Sequence, residues 1–311
     1  MDAVRGIARA AMIVVAVGLM LSSASCASLA GAEGDEGRPV ILDTDLGGDI
    51  DDTWALVTLL NSPELDLRLI TTEVGDTRSK TRTIAKILDR TGHTNIPVGI
   101  GVRQAKNGQG NRQAEWSEDY DLSSYPGTVH EDGVEALIQT IMESDKPVTV
   151  IAIGPLPTLA EALQRRPEIA KRAHFIGMHG SVRKGYGGSD EPSPEYNVAH
   201  DVESARTVLG APWKSMTITP LDTCGIVHLR GERYAEVRDA DTPLTNALME
   251  NYRTWYRHRL KNREDGPTGE KLRKTVRDKL GSSSTTLYDT VAIYLAISRG
   301  LVEMEELGIR V

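Results

Sequence analysis

Cysteine and phenylalanine are almost missing from this sequence, with two of the first and one of the second in 311 residues. So little cysteine excludes a disulfide scaffold, and no His/Cys cluster stands at zinc spacing. Aromatic contacts must come from nine Tyr and four Trp. The net charge of −8 argues against a polyanionic partner, nucleic acid included. No apolar run reaches the ~20 residues that a membrane-spanning helix needs. The GxGxxG fingerprint is absent after the first apolar run, where aspartates replace the glycines, so a dinucleotide cofactor is not expected. Neither a repeat nor a composition break divides residues 38–311, which read as one domain with a sizeable core.

What is present begins with an export pattern. Arg5 and Arg9 precede a short apolar stretch, Ala10 to Leu21, and small residues follow from Ser22 to Ala27. Residues 1–32 therefore read as a signal peptide, with a polar linker to residue 37. Cys26 sits where a bacterial lipoprotein carries its lipid, although Ser23 replaces the usual Leu, so lipid anchoring and simple cleavage both stay open. The expected localisation is secreted, periplasmic or cell-surface. Cleavage would leave Cys224 alone, so no internal disulfide is expected.

The chain is organised around VILDTDLGGDIDDTWAL, Val40 to Leu56. A buried strand runs into Asp43, Asp45, Asp49, Asp51 and Asp52, and a helix follows. Five carboxylates in ten residues repel one another unless a cation gathers them, and oxygens alone suit a hard ion such as calcium or magnesium. Helix capping accounts for one or two of them, not five. Downstream, strands expected over Leu65–Thr72, Ile96–Gly101, Val148–Ile153, Ala173–Met178 and Ser215–Thr219 alternate with helical patterns. This alternation predicts an α/β fold, a mostly parallel sheet with helices on both faces. Ligands in such sheets bind at the carboxyl ends of strands, where the acid cluster, the Gly154-Pro155 turn and the His179-Gly180 turn all fall. Residues 102–128 read as a long irregular loop.

Five blocks in order resemble the nucleoside hydrolases. DTDLGGDIDDTWAL resembles the family's N-terminal signature in the form with two extra residues before the final DD. TTEVGD (Thr71 to Asp76), AIGPLPTLAEAL (Ala152 to Leu163), PEYNVAHDVESA (Pro194 to Ala205) and LYDTVAIYLA (Leu287 to Ala296) resemble the later blocks. The resemblance implies a calcium-dependent hydrolase that cuts the N-glycosidic bond of a ribonucleoside, and a homo-oligomer. It implies Asp45 as metal ligand and general base, with Asp52, Asp289 and the Ile153 carbonyl as further ligands. Asp51, Asp76, Glu195 and Asn197 would hold the sugar, and Asp43 would support the metal residues from behind. The residue types suit that chemistry. A metal-held water attacks a sugar cation that carboxylates stabilise, and a nearby carboxylate takes the proton.

Departures from the family pattern shape the alternatives. Tyr288 stands where many members carry the His that helps the base leave, and Tyr is a poorer acid. Asp76 replaces a common Asn. His179 and Trp255 are further candidates for contact with substrate, Trp255 because Tyr252, Trp255 and Tyr256 share one helix and two of them could stack on a base. The bland reading of that stripe is core packing. Two other functions compete: an exported protein that binds a nucleoside or sugar without cutting it, and a metal-dependent phosphohydrolase of the haloacid-dehalogenase type. Leu46-Gly47-Gly48 argues against the second.

Overall fold

The computed structural model describes residues 37–104, 110–262 and 266–310. The export segment with Cys26, and Gly108 of the long loop, lie outside them. Seven strands form one sheet: β1 (Arg38–Thr44), β2 (Leu65–Thr72), β3 (Val98–Gly99), β4 (Val129–His130), β5 (Val148–Ala152), β6 (Ala173–Met178) and β7 (Met216–Thr219). Their order is β4-β3-β2-β1-β5-β6-β7, and every pairing is parallel. The expected α/β class holds. The order reverses at β1, whose Asp43 lies opposite Thr71 of β2 and Ala152 of β5.

Period-two alternation in β1 explains the layering. Val40 and Leu42 point into one core, with Trp54, Tyr252 and Trp255, while Ile41 points into the other, with Val150, Leu159 and Phe175. The lone Phe175 packs in that second core against Trp213, ring centroids 5.5 Å apart. Both faces are covered, as a parallel sheet requires.

Element boundaries expected from the sequence coincide at β2 and β6. The third strand is shorter than the expected Ile96–Gly101. At Gly99 a Cβ would stand 2.8 Å from the Gly133 Cα, so an incoming helix crowds the strand and pairing ends there. The long loop is not wholly irregular, since it holds the helix Ala114–Ser117 and a 3-10 turn, Leu122–Ser124.

Candidate active site

The acid loop leaves β1 and enters the helix Asp51–Leu60. That helix starts at Ile50 with no side-chain cap, so Asp51 and Asp52 occupy its first turn without capping it. Asp289 stands at the N-cap position of the helix Thr290–Ile297, again without a side-chain cap bond. The capping explanation therefore fails for all three. Their carboxylates instead meet, with one oxygen of each within 4.8 Å of the others and all three buried. Oxygens bound to one calcium at about 2.4 Å lie at most about 4.8 Å apart, so the trio fits a hard cation.

Burial pushes the carboxyls of Asp51, Asp52 and Asp289 well above their ordinary range, and the neighbouring carboxylates add to the effect. Asp45 is also raised by burial, but the Lys80 ammonium opposes the shift. Lys80 is itself fully buried. Its Nζ donates to the Asp45 carbonyl at 2.8 Å and the Glu73 carbonyl at 3.2 Å, and it lies 3.9 Å from Asp45 Oδ2. The structure thus brings Asp52 and Asp289 together with Asp51, which had been expected on the sugar, and sets Asp45 beside a cation of the protein's own.

Behind them, Asp43 accepts from Thr71 Oγ1 at 2.6 Å, and burial raises its carboxyl to about 7. Glu73 lies next to it, wholly buried, and burial drives its carboxyl well up. Two turns close on this pair in strained backbone. Val74 has φ 60° and Leu156 has φ 78°, left-handed values unusual for side chains of their kind. Gly154 packs directly on Glu73, since a Cβ there would meet Glu73 Oε1 at 2.2 Å and the Asp45 nitrogen at 3.0 Å.

The Glu195 carboxylate caps the helix Tyr196–His200, accepting from the amides of Asn197 and Val198, and also accepts from Gly180 at 3.0 Å. Asn197 Nδ2 donates to the Ile153 carbonyl at 3.3 Å and the Met178 carbonyl at 2.9 Å. His179 Nε2 donates to the Gly154 carbonyl at 3.0 Å, and burial lowers the ring to about 4, so it is neutral near pH 7. These residues line the ends of β5 and β6 beside the acid loop. Tyr288 adjoins Asp289, half-buried, with burial raising its hydroxyl pKa further.

Two expected substrate contacts have other duties. Asp76 is exposed and accepts from Ser79 N at 3.1 Å as the N-cap of the helix Thr77–Arg90. Trp255 is 0% exposed and packs in the core with Tyr252, leaving no face for a base. Its Nε1 donates to the Gly48 carbonyl at 3.3 Å, which steadies the acid loop. The long loop steadies it too. The Arg112 amide donates to the Gly47 carbonyl at 2.8 Å, and the buried Gln113 side chain bonds Thr53 Oγ1 and the Asp49 carbonyl. Trp116 of that loop lies against Lys86 and donates to Glu250.

Sequence reasoning missed Lys80, Glu73 and Gln113. A charged or amide side chain in a polar segment reads as solvated, and only a contact across tens of residues reverses that. The one available signal was Glu73 standing directly after the strand Leu65–Thr72.

Residues 40–311 match the sequence profile of inosine-uridine preferring nucleoside hydrolases. The chain is 29% identical over 225 residues to the pyrimidine-specific ribonucleoside hydrolase RihA of Photobacterium profundum, covering 68% of this chain and 70% of that protein. It is 32% identical over 178 residues to the non-specific ribonucleoside hydrolase RihC of Klebsiella pneumoniae, covering 55% and 57%. Among solved structures, a plant nucleoside hydrolase superposes with a TM-score of 0.65 at 22% identity, over 84% of this chain and 78% of that one. A purine-preferring ribonucleoside hydrolase from Gardnerella vaginalis gives 0.63 at 22%, over 86% and 82%. At that identity the superpositions speak for the fold.

Proposed function

Because this chain belongs to the inosine-uridine preferring nucleoside hydrolase family, we propose that it is a calcium-dependent N-ribohydrolase, releasing free base and ribose from ribonucleosides. The observation that carries the reading is the buried, uncapped trio Asp51, Asp52 and Asp289 at the carboxyl end of β1. The Ile153 carbonyl lies at the neighbouring strand end. Held there, calcium would acidify a water and fix it on one face of the sugar.

The protein's own groups do the rest. Asp45 accepts the proton of the attacking water, and the Lys80 ammonium beside it favours the ionised carboxylate this needs. The water oxygen bonds to C1′ as the bond from C1′ to the base nitrogen breaks, and its electron pair leaves with the base. The remaining buried carboxylates offset the positive charge that grows on the sugar. Glu195 and Asn197 are the groups for the ribose hydroxyls. With its hydroxyl held protonated, Tyr288 offers the departing base a hydrogen bond rather than a full proton.

The test is turnover of inosine and uridine with and without a chelator. Ribose release should need calcium, and Asp45→Asn should cut kcat by about 10²–10⁴-fold. Undiminished turnover in Asp45→Asn would sink the assignment of the base. Tyr288 is the observation behind a second reading, nucleoside binding without cleavage, which tight binding with no turnover across a broad nucleoside panel would support. Family membership displaces the phosphohydrolase alternative.

Export is part of the proposal and rests on residues 1–32, with Cys26 as the lipid candidate. Recovery of full-length chain from the cytoplasm would overturn it. We further propose a homo-oligomer, which light scattering tests directly.

A further inference from the structure

Polar groups dominate the site described so far, yet a nucleobase is a flat, largely apolar ring. Its seat must come from elsewhere, because the aromatic stripe Tyr252/Trp255 lies in the core. Tyr186, 41% exposed, is the only exposed aromatic residue among the described residues. It sits in the loop after β6, and that loop is built to hold it still. The carboxylate of Asp222 accepts from the amides of Val182, Arg183 and Lys184. Gly185 and Ser189 close a turn at 3.0 Å, and Gly187 and Gly188 take left-handed φ values of 66° and 79° that glycine adopts without strain.

The ring itself spans two walls of the site. Its hydroxyl accepts from the Tyr196 amide at 2.8 Å, next to Glu195. It also packs at a T-shaped angle with Tyr288, next to Asp289, with centroids 6.0 Å apart and planes at 84°. An exposed aromatic ring fixed at both ends is a pre-formed surface on which a flat base can stack.

We propose that Tyr186, backed by Tyr288, is the seat of the nucleobase and a specificity-determining residue for the planar purine or pyrimidine. The inference rests on the nucleoside reading of the site, so its test separates binding from turnover. Isothermal titration of the full chain with calcium measures hypoxanthine, uracil and D-ribose one at a time. Tyr186→Ala should weaken both bases about tenfold or more and leave D-ribose unchanged, since base–aromatic stacks are strong and ribose has no π-face to stack. Tyr186→Phe keeps the ring and should keep base affinity. Tyr186→Trp should change the hypoxanthine-to-uracil ratio.

Base affinity unaltered in Tyr186→Ala overturns the proposal. So does a parallel loss for base and ribose, or no base binding by the unaltered protein. If bases bind through Tyr186 but no ribonucleoside is cleaved, the seat stands and the hydrolase reading falls.

Discussion

A few single residues control the electrostatics of the site, and Lys80 is the first of them. Removing its ammonium takes the donor from the buried Glu73 carbonyl, leaves the Asp45 carbonyl with the Gly48 amide alone, and deprives Asp45 of its main opposing charge. Lys80→Met should lower stability by about 2–4 kcal/mol in a denaturant titration. It should also move the acid limb of the kcat profile to higher pH. The sign follows from Lys80 lowering the Asp45 pKa: without it the base ionises later. An unmoved limb would show that Asp45 is not the titrating base. Gly154→Ala should cost about 1–3 kcal/mol, because the new methyl collides with Glu73 Oε1.

His179 gives a pH effect of known direction. Its folded pKa is near 4, below the ordinary 6.5, so the unfolded chain takes the proton first as pH falls. The stability it contributes is present above about pH 6.5 and is lost toward pH 4, up to about 3 kcal/mol. In calcium-saturated protein, His179→Gln should shrink that acid loss in thermal melts. Equal losses in both proteins would show that His179 is not buried neutral.

At the scale of elements, Asp76 separates two roles that one residue can hold. As the cap of the helix Thr77–Arg90 it should contribute about 1 kcal/mol, and Asp76→Ala should lose that amount. Asp76→Ser keeps a capping oxygen and should restore stability. A KM that stays high in Asp76→Ser would mark an added sugar contact, and a normal KM would leave only the cap. The strands explain why the site lies where it does. Order reverses at β1, so the ends of β1, β5 and β6 open on a common crevice, and the long loop and the helix Pro243–Lys261 brace the acid loop from outside.

For the whole molecule, the cluster sets a link between pH and stability that a cation should break. Asp51, Asp52 and Asp289 have folded pKa values well above 3.8, and Asp43 stands near 7. Groups raised on folding favour the folded state below their unfolded pKa, and that contribution disappears as pH rises through the folded value. In chelator, the melting temperature should therefore fall as pH rises from about 4 through about 7. Calcium should flatten that slope and raise the melting temperature at neutral pH. A slope that calcium does not change would argue against these carboxylates as its ligands.

The sequence by itself determined the parallel α/β fold and the acid loop. Those depend on short-range pattern: runs such as Leu65–Thr72 carry their strand signal within eight residues, and DTDLGGDIDD gathers its carboxylates before any folding. Tertiary structure decided which carboxylates meet. Asp289 joins Asp51 and Asp52 only because its helix packs beside theirs on the same face of the sheet. It also decided that Lys80 and Glu73 are buried, that Trp255 lies in the core and braces the acid loop, and that Tyr186 meets both the Tyr196 amide and the Tyr288 ring. No local pattern can report such matters, because burial, and with it every pKa and every free ring face, belongs to contacts between residues far apart in the chain.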